Sequence, residues 1–314
     1  IRALNPADVC GIKVFMGSST GNMLVDDTRT LESIFRDAPC IIATHCEDTP
    51  IINTNELKAR GHYGDAVPFN QHGIIRSREA CYASSSLAVS LAKQFDANLH
   101  VLHLTTKEEL DLFTAGYVDK KRITAEVCVH HLWFTDADYD HLGALIKCNP
   151  AIKTADDRAA LRQAIKDGRI DIIATDHAPH TWDEKQGTYF NAPSGLPLVQ
   201  YALPALFDLV KQNVLNLTDV VTKTSHAVAQ RYGMVDRGFI REGYWADLVL
   251  VDWHHEQVDT PEHLAYQCGW SPFHGHAFSS RIDATIVNGH IAYNHGETLH
   301  KPAGMRLQFM KNRR

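Results

Sequence analysis

The sequence predicts an α/β fold in which parallel strands alternate with helices, followed by a small β region. Five short segments rich in β-branched residues each run into a polar cluster, and a helical pattern follows each of them. After Gly233 the pattern changes to short strands. The 314 residues suffice for one large barrel-type domain, because α/β barrels often exceed the usual domain size.

The predicted strands end near polar residues and are separated by helices with recognisable first turns. The strands are predicted at residues 11–17, 40–45, 99–103, 122–129 and 170–175. The helices are predicted at residues 28–37, 77–95, 154–168, 197–212 and 217–232, with a further helix opening at Thr106. Lys-Glu-Glu after Thr106 places acids at the favourable end of a helix dipole. Between His45 and Ser77 we expect a long polar loop.

The C-terminal part reads as a small β appendage. Strands are predicted at residues 246–252 and 283–293, and Asn288-Gly289 within the second segment indicates a tight hairpin turn. We therefore divide the chain into a barrel part, residues 1–233, and a β-domain segment with its tail, residues 234–314.

Composition restricts the class of protein. The chain is 44% apolar, and no apolar run approaches the roughly 20 residues that a membrane span needs. A net charge of −6 without a lysine or arginine block argues against a nucleic-acid partner. Seven cysteines without a Cys-x-x-Cys pair argue against a disulfide framework and fit a reducing cytoplasm. These properties favour work on a small molecule.

Polar residues lie where the predicted parallel strands end. In a barrel these ends face one mouth, so the residues converge although they are far apart in sequence. They are Lys13, His45, His103, His130 or His131, and Asp176. A lone histidine at a strand end is more often a hydrogen-bonded structural residue, but the whole set suits a site for two metal ions with an acid to handle protons. Cys46 and Cys128 are interpreted as packing residues.

Several motifs in the chain resemble the dihydroorotases of the cyclic amidohydrolase group. They are Lys13 in Lys-Val-Phe-Met-Gly, His45 in Thr-His-Cys-Glu-Asp, His103 in His-Val-Leu-His-Leu-Thr-Thr, the strand Thr-Ala-Glu-Val-Cys-Val-His-His ending at His131, Cys148-Asn-Pro, and Thr175-Asp-His-Ala-Pro-His. The resemblance runs in order over nearly the whole chain. It includes the tail, where Gly243-Tyr-Trp-Ala-Asp-Leu-Val-Leu and Ile286-Val-Asn-Gly are similar to the group's closing β-domain.

The resemblance implies a TIM-like (β/α)8 metal-dependent hydrolase barrel, with its strands 4 to 8 present here, and a small C-terminal β-domain. It also implies two zinc ions per subunit, bridged by a carboxylated Lys13. His45 and His103 would hold the more exposed ion. Asp176 would bind the more buried ion and shuttle the proton. A carbamate suits this place because it is an anionic bridge with two oxygens, whereas a lysine amine is cationic near neutral pH.

The implied substrate contacts come from the second half of the chain. Asn149 and His180 would grip the substrate, and backbone around Pro193 and Gly195 would line its ring. The implied reaction is the reversible cyclisation of N-carbamoyl-aspartate to dihydroorotate in pyrimidine biosynthesis. His180 and Asn149 favour a ring that carries an extra carboxylate, since buried polar groups matched to one substrate reject analogues without the partner.

The sequence leaves other functions open as alternatives to this one. An allantoinase or dihydropyrimidinase shares the metal set, whereas a single-metal deaminase has no use for a bridging Lys13. A redox enzyme is disfavoured because no Gly-x-Gly-x-x-Gly follows a strand. Gly17-Ser-Ser-Thr-Gly lacks the following Lys-Ser/Thr of a phosphate loop and is interpreted as a loop at the barrel mouth. Homo-oligomerisation is a further expectation from the resemblance.

The sequence departs from the family at its start. The family opens its site with a His-x-His pair on the first strand, often followed by an arginine, and neither lies before Lys13. We therefore expect these residues to be a portion of a longer polypeptide that supplies the first three strands and the N-terminal part of the β-domain. The alternative is a degenerate homologue that binds a partner without catalysis.

Overall fold

A computed structural model of the chain describes residues 1–17, 24–299 and 303–310. Within these ranges, five parallel strands form one sheet whose order follows the chain. They are β1 (Ile12–Phe15), β2 (Ile42–His45), β3 (Leu99–Val101), β4 (Ile123–Cys128) and β5 (Ile172–Ala174). Phe15 pairs with His45 and Thr44 with Val101. The C-terminal ends of the strands therefore lie along one edge, called the mouth below.

Helices connect the strands and cover the sheet. They are α1 (Thr28–Asp37), α2 (Thr49–Tyr63), α3 (His72–Ile75), α4 (Arg78–Phe95), α5 (Val129–Trp133), α6 (Tyr139–Leu142), α7 (Ala155–Lys166), α8 (Trp182–Lys185), α9 (Ala202–Lys211), α10 (Leu217–Val221) and α11 (Ala227–Tyr232). A π-helical turn, Thr222–His226, joins the last two into one continuous helix. Short 3₁₀ turns are Phe69–Gln71, Glu108–Leu112, Val118–Lys120, Asp136–Asp138, Gly143–Ile146 and Pro261–His263.

Four predicted helices are confirmed, including the one predicted at 217–232, and side-chain caps explain where the other three start. Asp27, Ser77 and Thr154 each accept a hydrogen bond from a backbone N–H in the first turn of the helix that follows. Such caps satisfy donors that the helix itself leaves unpaired. The helix predicted at 197–212 begins later, at Ala202.

The polar loop predicted between His45 and Ser77 is wrong, because α2 occupies much of it. This helix buries only Ile52 and Ala59, so its sequence shows no apolar stripe. Its start is nevertheless marked: the Asp48 side chain accepts from Ile51 N at 2.9 Å, and Pro50 lies in the first turn.

The helix predicted to open at Thr106 is also wrong, since only the 3₁₀ turn Glu108–Leu112 forms there. The Glu109 side chain turns inward instead of lying at a solvated helix start. Its carboxylate accepts from Ser85 Oγ at 2.6 Å and Thr106 Oγ1 at 2.9 Å. A buried carboxylate needs such partners, and they hold the chain in a compact turn.

The C-terminal part contains a separate antiparallel sheet. Its order is β11 (Glu297–Thr298), β10 (His290–Asn294), β9 (Arg281–Val287) and β6 (Leu248–Asp252), and β7 (Gln257–Val258) pairs with β8 (Ala277–Phe278). The predicted Asn288-Gly289 hairpin turn is confirmed, with positive φ at both residues. The division at residue 233 stays a prediction, because Phe273 and Phe278 pack into the same core as the parallel sheet.

Two further observations concern sequence predictions. Among the described residues, no helix has both the length and the apolar character needed to cross a bilayer. The segment interpreted as a mouth loop, 17–21, lies outside the described residues except for Gly17. A Cβ atom at Gly17 would fall 1.3 Å from the carbonyl oxygen of Glu47, so only glycine allows the chains after β1 and β2 to approach this closely.

Candidate active site

Two of the predicted metal ligands face each other at the mouth. His45 ends β2, and His103 follows β3 with a positive φ of 39°. His45 Nδ1 lies 3.1 Å from His103 Nε2, and both residues are buried. Burial, with the nearby His45 and Lys13, lowers the pKa of His103 well below its ordinary value. The His103 ring is therefore neutral and can offer a lone pair to a metal ion.

The spacing of these two nitrogens fits one zinc ion. At zinc–nitrogen bonds of about 2.0–2.1 Å, two imidazole ligands of a tetrahedral ion lie roughly 3.3 Å apart. The two facing nitrogens lie at nearly that distance. Imidazole nitrogen is also a common zinc ligand. The pair therefore fits the predicted metal.

A buried carboxylate orients His45 from behind. Glu47 is fully buried, its Oε2 lies 3.1 Å from His45 Nε2, and Arg76 forms an ion pair with the same oxygen. Burial alone would raise the pKa of Glu47, but Arg76 and the contact with His45 lower it to about 2. The two atoms lie within hydrogen-bonding distance, although the angle between them is not that of a formed hydrogen bond.

The ionised Glu47 decides which nitrogen of His45 carries the proton. An anion beside Nε2 favours a hydrogen on that nitrogen, which leaves the lone pair of Nδ1 directed at His103. A carboxylate behind a histidine ligand is a usual way to fix the ring and raise its basicity.

Asp176 and Lys13 lie within electrostatic range of each other and of the histidine pair. Asp176 follows β5 with a φ of 46° and is exposed at the mouth, yet enough protein surrounds its carboxyl for desolvation to raise its pKa. Glu126 also raises this pKa, whereas Lys13 and His45 act in the opposite direction. The Lys13 ammonium is exposed and lies 4.8 Å from the centre of the Phe15 ring.

The predicted substrate residues lie on two neighbouring segments. The side-chain oxygen of Asn149 is buried and accepts no hydrogen bond within the part of the chain that the structure describes. His180 Nε2 donates to Ser194 O at 3.2 Å. Pro193 and Gly195 offer their carbonyl groups to Lys185 Nζ, at 2.8 and 3.1 Å.

Gly195 needs to be glycine at this place. Its φ is 145°, and a Cβ atom there would lie 2.4 Å from Ala178 O and 3.0 Å from His180 Cδ2. The backbone of the 193–195 turn therefore packs directly on the chain between Asp176 and His180.

A second group of possible ligands lies after β4. The donor atoms of Cys128, His130 and His131 all lie within 4.8 Å of one another, the one such group of three among the described residues. His131 Nε2 donates to Pro150 O at 3.1 Å. Burial lowers the pKa of His131 to about 3, that of His130 well below its ordinary value, and raises that of the Cys128 thiol.

Four residues near the site were not predicted from the sequence: Glu47, Arg76, Lys147 and Lys185. Glu47 stands inside the Thr-His-Cys-Glu-Asp motif, two residues after His45, which was the available signal. Arg76 comes from the turn before α4, and nothing in the sequence connects it with Glu47.

Comparison with known proteins identifies relatives over most of the chain. The model of the Amidohydrolase family matches residues 75–292. A dihydroorotase of Halobacterium salinarum is 35% identical over 271 residues, which are 84% of this chain and 60% of that protein. A dihydroorotase of Pyrococcus horikoshii is 29% identical over 307 residues, 98% of this chain and 66% of the relative. The chain thus spans 60–66% of the length of these relatives.

Solved structures of similar fold confirm the predicted fold class. L-Hydantoinase (dihydropyrimidinase) from Arthrobacter aurescens aligns with a TM-score of 0.85 at 21% identity, covering 93% of this chain and 66% of that one. Dihydroorotase in complex with 5-fluoroorotic acid from Saccharomyces cerevisiae aligns with a TM-score of 0.66 at 17% identity, covering 87% and 73%. The parallel sheet and the separate β region are those of a TIM-like barrel with its β-domain.

Proposed function

Because the chain belongs to the amidohydrolase family, we propose that the protein is a zinc-dependent dihydroorotase, a hydrolase of cyclic amides. It would interconvert N-carbamoyl-L-aspartate and L-dihydroorotate, a step of pyrimidine biosynthesis. The observation that carries the proposal is the 3.1 Å approach of two buried histidine nitrogens, electrostatically coupled to Asp176 and Lys13. The dihydroorotases among its relatives support this substrate.

The metal would be held by residues that the mouth brings together. His45 Nδ1 and His103 Nε2 would share one zinc ion, Asp176 would bind a second, and a carboxylated Lys13 would bridge the two. Zinc, when bound, activates water and polarises an amide carbonyl.

Asp176 would move the proton of the reaction. In ring opening, a water molecule adds to the ring carbonyl and the ring C–N bond breaks. The Asp176 carboxylate would take a proton from the water and, as the carboxylic acid, deliver it to the leaving nitrogen, which restores the carboxylate. In ring closure the transfer would reverse. A raised pKa suits this task, because a proton carrier works best when its pKa approaches the working pH.

The ring and its carboxylate would be held by the second half of the chain. The unpartnered Asn149 oxygen can accept a hydrogen bond from the substrate, and the His180 ring lies beside the 193–195 turn. The backbone around Pro193 and Gly195 would form one wall for the ring. The His180 ring would donate a hydrogen bond to the substrate carboxylate, which hydantoin and dihydrouracil lack.

The proposal extends to the location of the protein and to its partners. Seven cysteines without a Cys-x-x-Cys pair support a reducing compartment, so the cytoplasm is proposed. A homo-oligomer is proposed from the resemblance. Small-molecule substrates are the proposed partners, without nucleic acid or membrane.

An activity assay with metal analysis tests the proposed function. The protein expressed from its complete reading frame is loaded with zinc, and the interconversion of carbamoyl-aspartate and dihydroorotate is followed in both directions. We expect turnover together with about two zinc ions per subunit. Turnover of hydantoin, dihydropyrimidine or allantoin without turnover of dihydroorotate would show that the proposed substrate is wrong and that the cyclic amide which reacts is the substrate. A protein that binds no metal and turns over none of them would indicate a non-catalytic scaffold.

Replacing Glu47 by glutamine is expected to weaken zinc binding. The uncharged amide no longer favours a proton on His45 Nε2. Loss of such a supporting partner typically lowers metal affinity about 10–100-fold, and we expect a loss of that size here. The affinity is measured by competition with a chromophoric chelator. Glu56→Gln, which changes a partly exposed carboxylate on α2, is the control and should leave zinc affinity unchanged. Equal affinity in the two variants would contradict the orienting role of Glu47.

A further inference from the structure

The segment 189–195 rests on the chain that carries Asp176. Ala178 N donates to Leu196 O at 3.0 Å, and His180 Nε2 donates to Ser194 O. The close packing of Gly195 against Ala178 leaves this segment no room to shift closer to the chain between Asp176 and His180. Its position is therefore coupled to the position of Asp176 and of the proposed substrate.

Lys185 holds the C-terminal end of this segment. It closes the short helix α8, and its side chain is almost fully buried. Its Nζ donates to Pro193 O at 2.8 Å and to Gly195 O at 3.1 Å. The Trp270 ring lies 5.6 Å from the same ammonium. One buried cation thus fixes two carbonyl groups of the proposed ring wall.

Lys147 holds the start of the segment in the same way. It is buried two residues before Asn149, and its Nζ donates to Tyr189 O at 2.6 Å and to Ala192 O at 2.7 Å. Its own carbonyl oxygen accepts from Gly195 N at 2.9 Å. Lys147 therefore ties the segment to the loop that carries Asn149, between the 3₁₀ turn Gly143–Ile146 and α7.

Two buried cations here are energetically unusual. Within the described ranges neither ammonium has a carboxylate at ion-pair distance. The contacts that stabilise each cation are two backbone carbonyl groups and one aromatic ring, that of Tyr189 for Lys147 and that of Trp270 for Lys185. Burial lowers the pKa of each lysine to about 8. An apolar side chain of similar volume would avoid this cost of desolvation. The use of lysine at both places points to a requirement for fixed carbonyl groups.

We propose that Lys147 and Lys185 are positioning residues that fix the carbonyl groups of segment 189–195, and through them the wall against which the ring of a cyclic amide substrate lies. This inference rests on the proposed function. Neither lysine is assigned a contact with the substrate.

A Lys185→Met variant of the full-length, zinc-loaded protein tests the inference. A wall that contacts substrate and transition state alike changes KM more than kcat, so we expect KM for dihydroorotate to rise about tenfold and kcat to fall less than about threefold. Zinc content should stay unchanged. Hydrogen exchange, followed by mass spectrometry, should become faster in peptides covering residues 187–196.

Lys211→Met is the matched control. Lys211 Nζ also donates to two carbonyl groups, of Trp253 and Ser279, and lies 5.1 Å from the Trp253 ring, but these contacts are made away from the segment. The inference is overturned if Lys185→Met matches Lys211→Met in KM and in exchange of residues 187–196. Should Lys185→Met fail to fold, Lys147→Met is measured by the same readouts and decides the question.

The design separates failure of the inference from failure of the proposed function. If the wild-type protein does not turn over dihydroorotate, the function is wrong, while the exchange experiment still decides whether the lysines fix the segment. If the wild type is active and the lysine variants keep its KM and exchange, the inference is wrong and the function stands.

Discussion

The Asp176→Asn variant is expected to lose about 10³-fold or more of its kcat for dihydroorotate, since proton transfer by a positioned side chain contributes about 10²–10⁴-fold. Asparagine has nearly the same shape but cannot carry the proton. It also tolerates the positive φ of this residue better than most side chains do, so the fold should persist. Steady-state kinetics with metal analysis measure the effect, and circular dichroism checks the fold.

Asp183→Asn is the control for that variant. Asp183 is exposed in α8, seven residues after Asp176, and its change should leave kcat within about twofold, as expected for an exposed position without a special role. An Asp176→Asn protein that retains more than about a tenth of the wild-type kcat would remove Asp176 from the proton transfer, because the loss would be below the range for acid–base catalysis.

The Arg76→Met variant is expected to lower the free energy of unfolding by about 3–5 kcal/mol, the usual cost of leaving a buried charge without its partner. Glu47 is completely buried, and Arg76 is the cation that keeps its carboxylate ionised. Chemical denaturation at neutral pH measures the loss. Zinc binding should weaken as well, because the carboxylate behind His45 then favours its neutral form.

Two further variants show whether the loss comes from the unpaired charge. Arg76→Met combined with Glu47→Gln removes both charges and should recover a large part of the stability. Arg2→Met breaks a 2.7 Å ion pair with Asp37 in which the arginine is 79% exposed, and should cost less than about 1 kcal/mol. If the double variant is as unstable as Arg76→Met alone, the stability depends on the shape of the Arg76 side chain rather than on its charge.

Helices and strands could be predicted where their signal lies in consecutive residues of the chain. Helical patterns predicted α1, α4 and α7, and β-branched runs that end in polar residues predicted all five strands of the parallel sheet. Helix α2 was missed because it lies on the surface and buries two residues, although the Asp48-Thr-Pro start was visible. Amphipathic periodicity fails for a helix that has little to bury.

Partners that are far apart in the chain could not be predicted. Glu47 and Arg76 meet only after α2 and α3 have folded between them, and Lys147 reaches carbonyl groups more than forty residues away. Every residue has a backbone carbonyl group, so the residue type of the partner gives no sign in the sequence that a lysine contacts it. The proposed metal ligands could be chosen from the sequence, because strand ends in a parallel sheet converge whatever their separation.

The order of the parallel sheet has a consequence for how the protein is made. Every strand from β2 to β5 pairs with the strand synthesised just before it, as Ile42 pairs with Ile12. The entropy cost of closing a loop grows only slowly with its length, so connections of 21–53 residues still allow each strand to pair soon after it is made. The sheet can therefore extend strand by strand while the ribosome is still translating. Strand β6 differs, because it must wait for β9, and the antiparallel sheet is the last part to assemble.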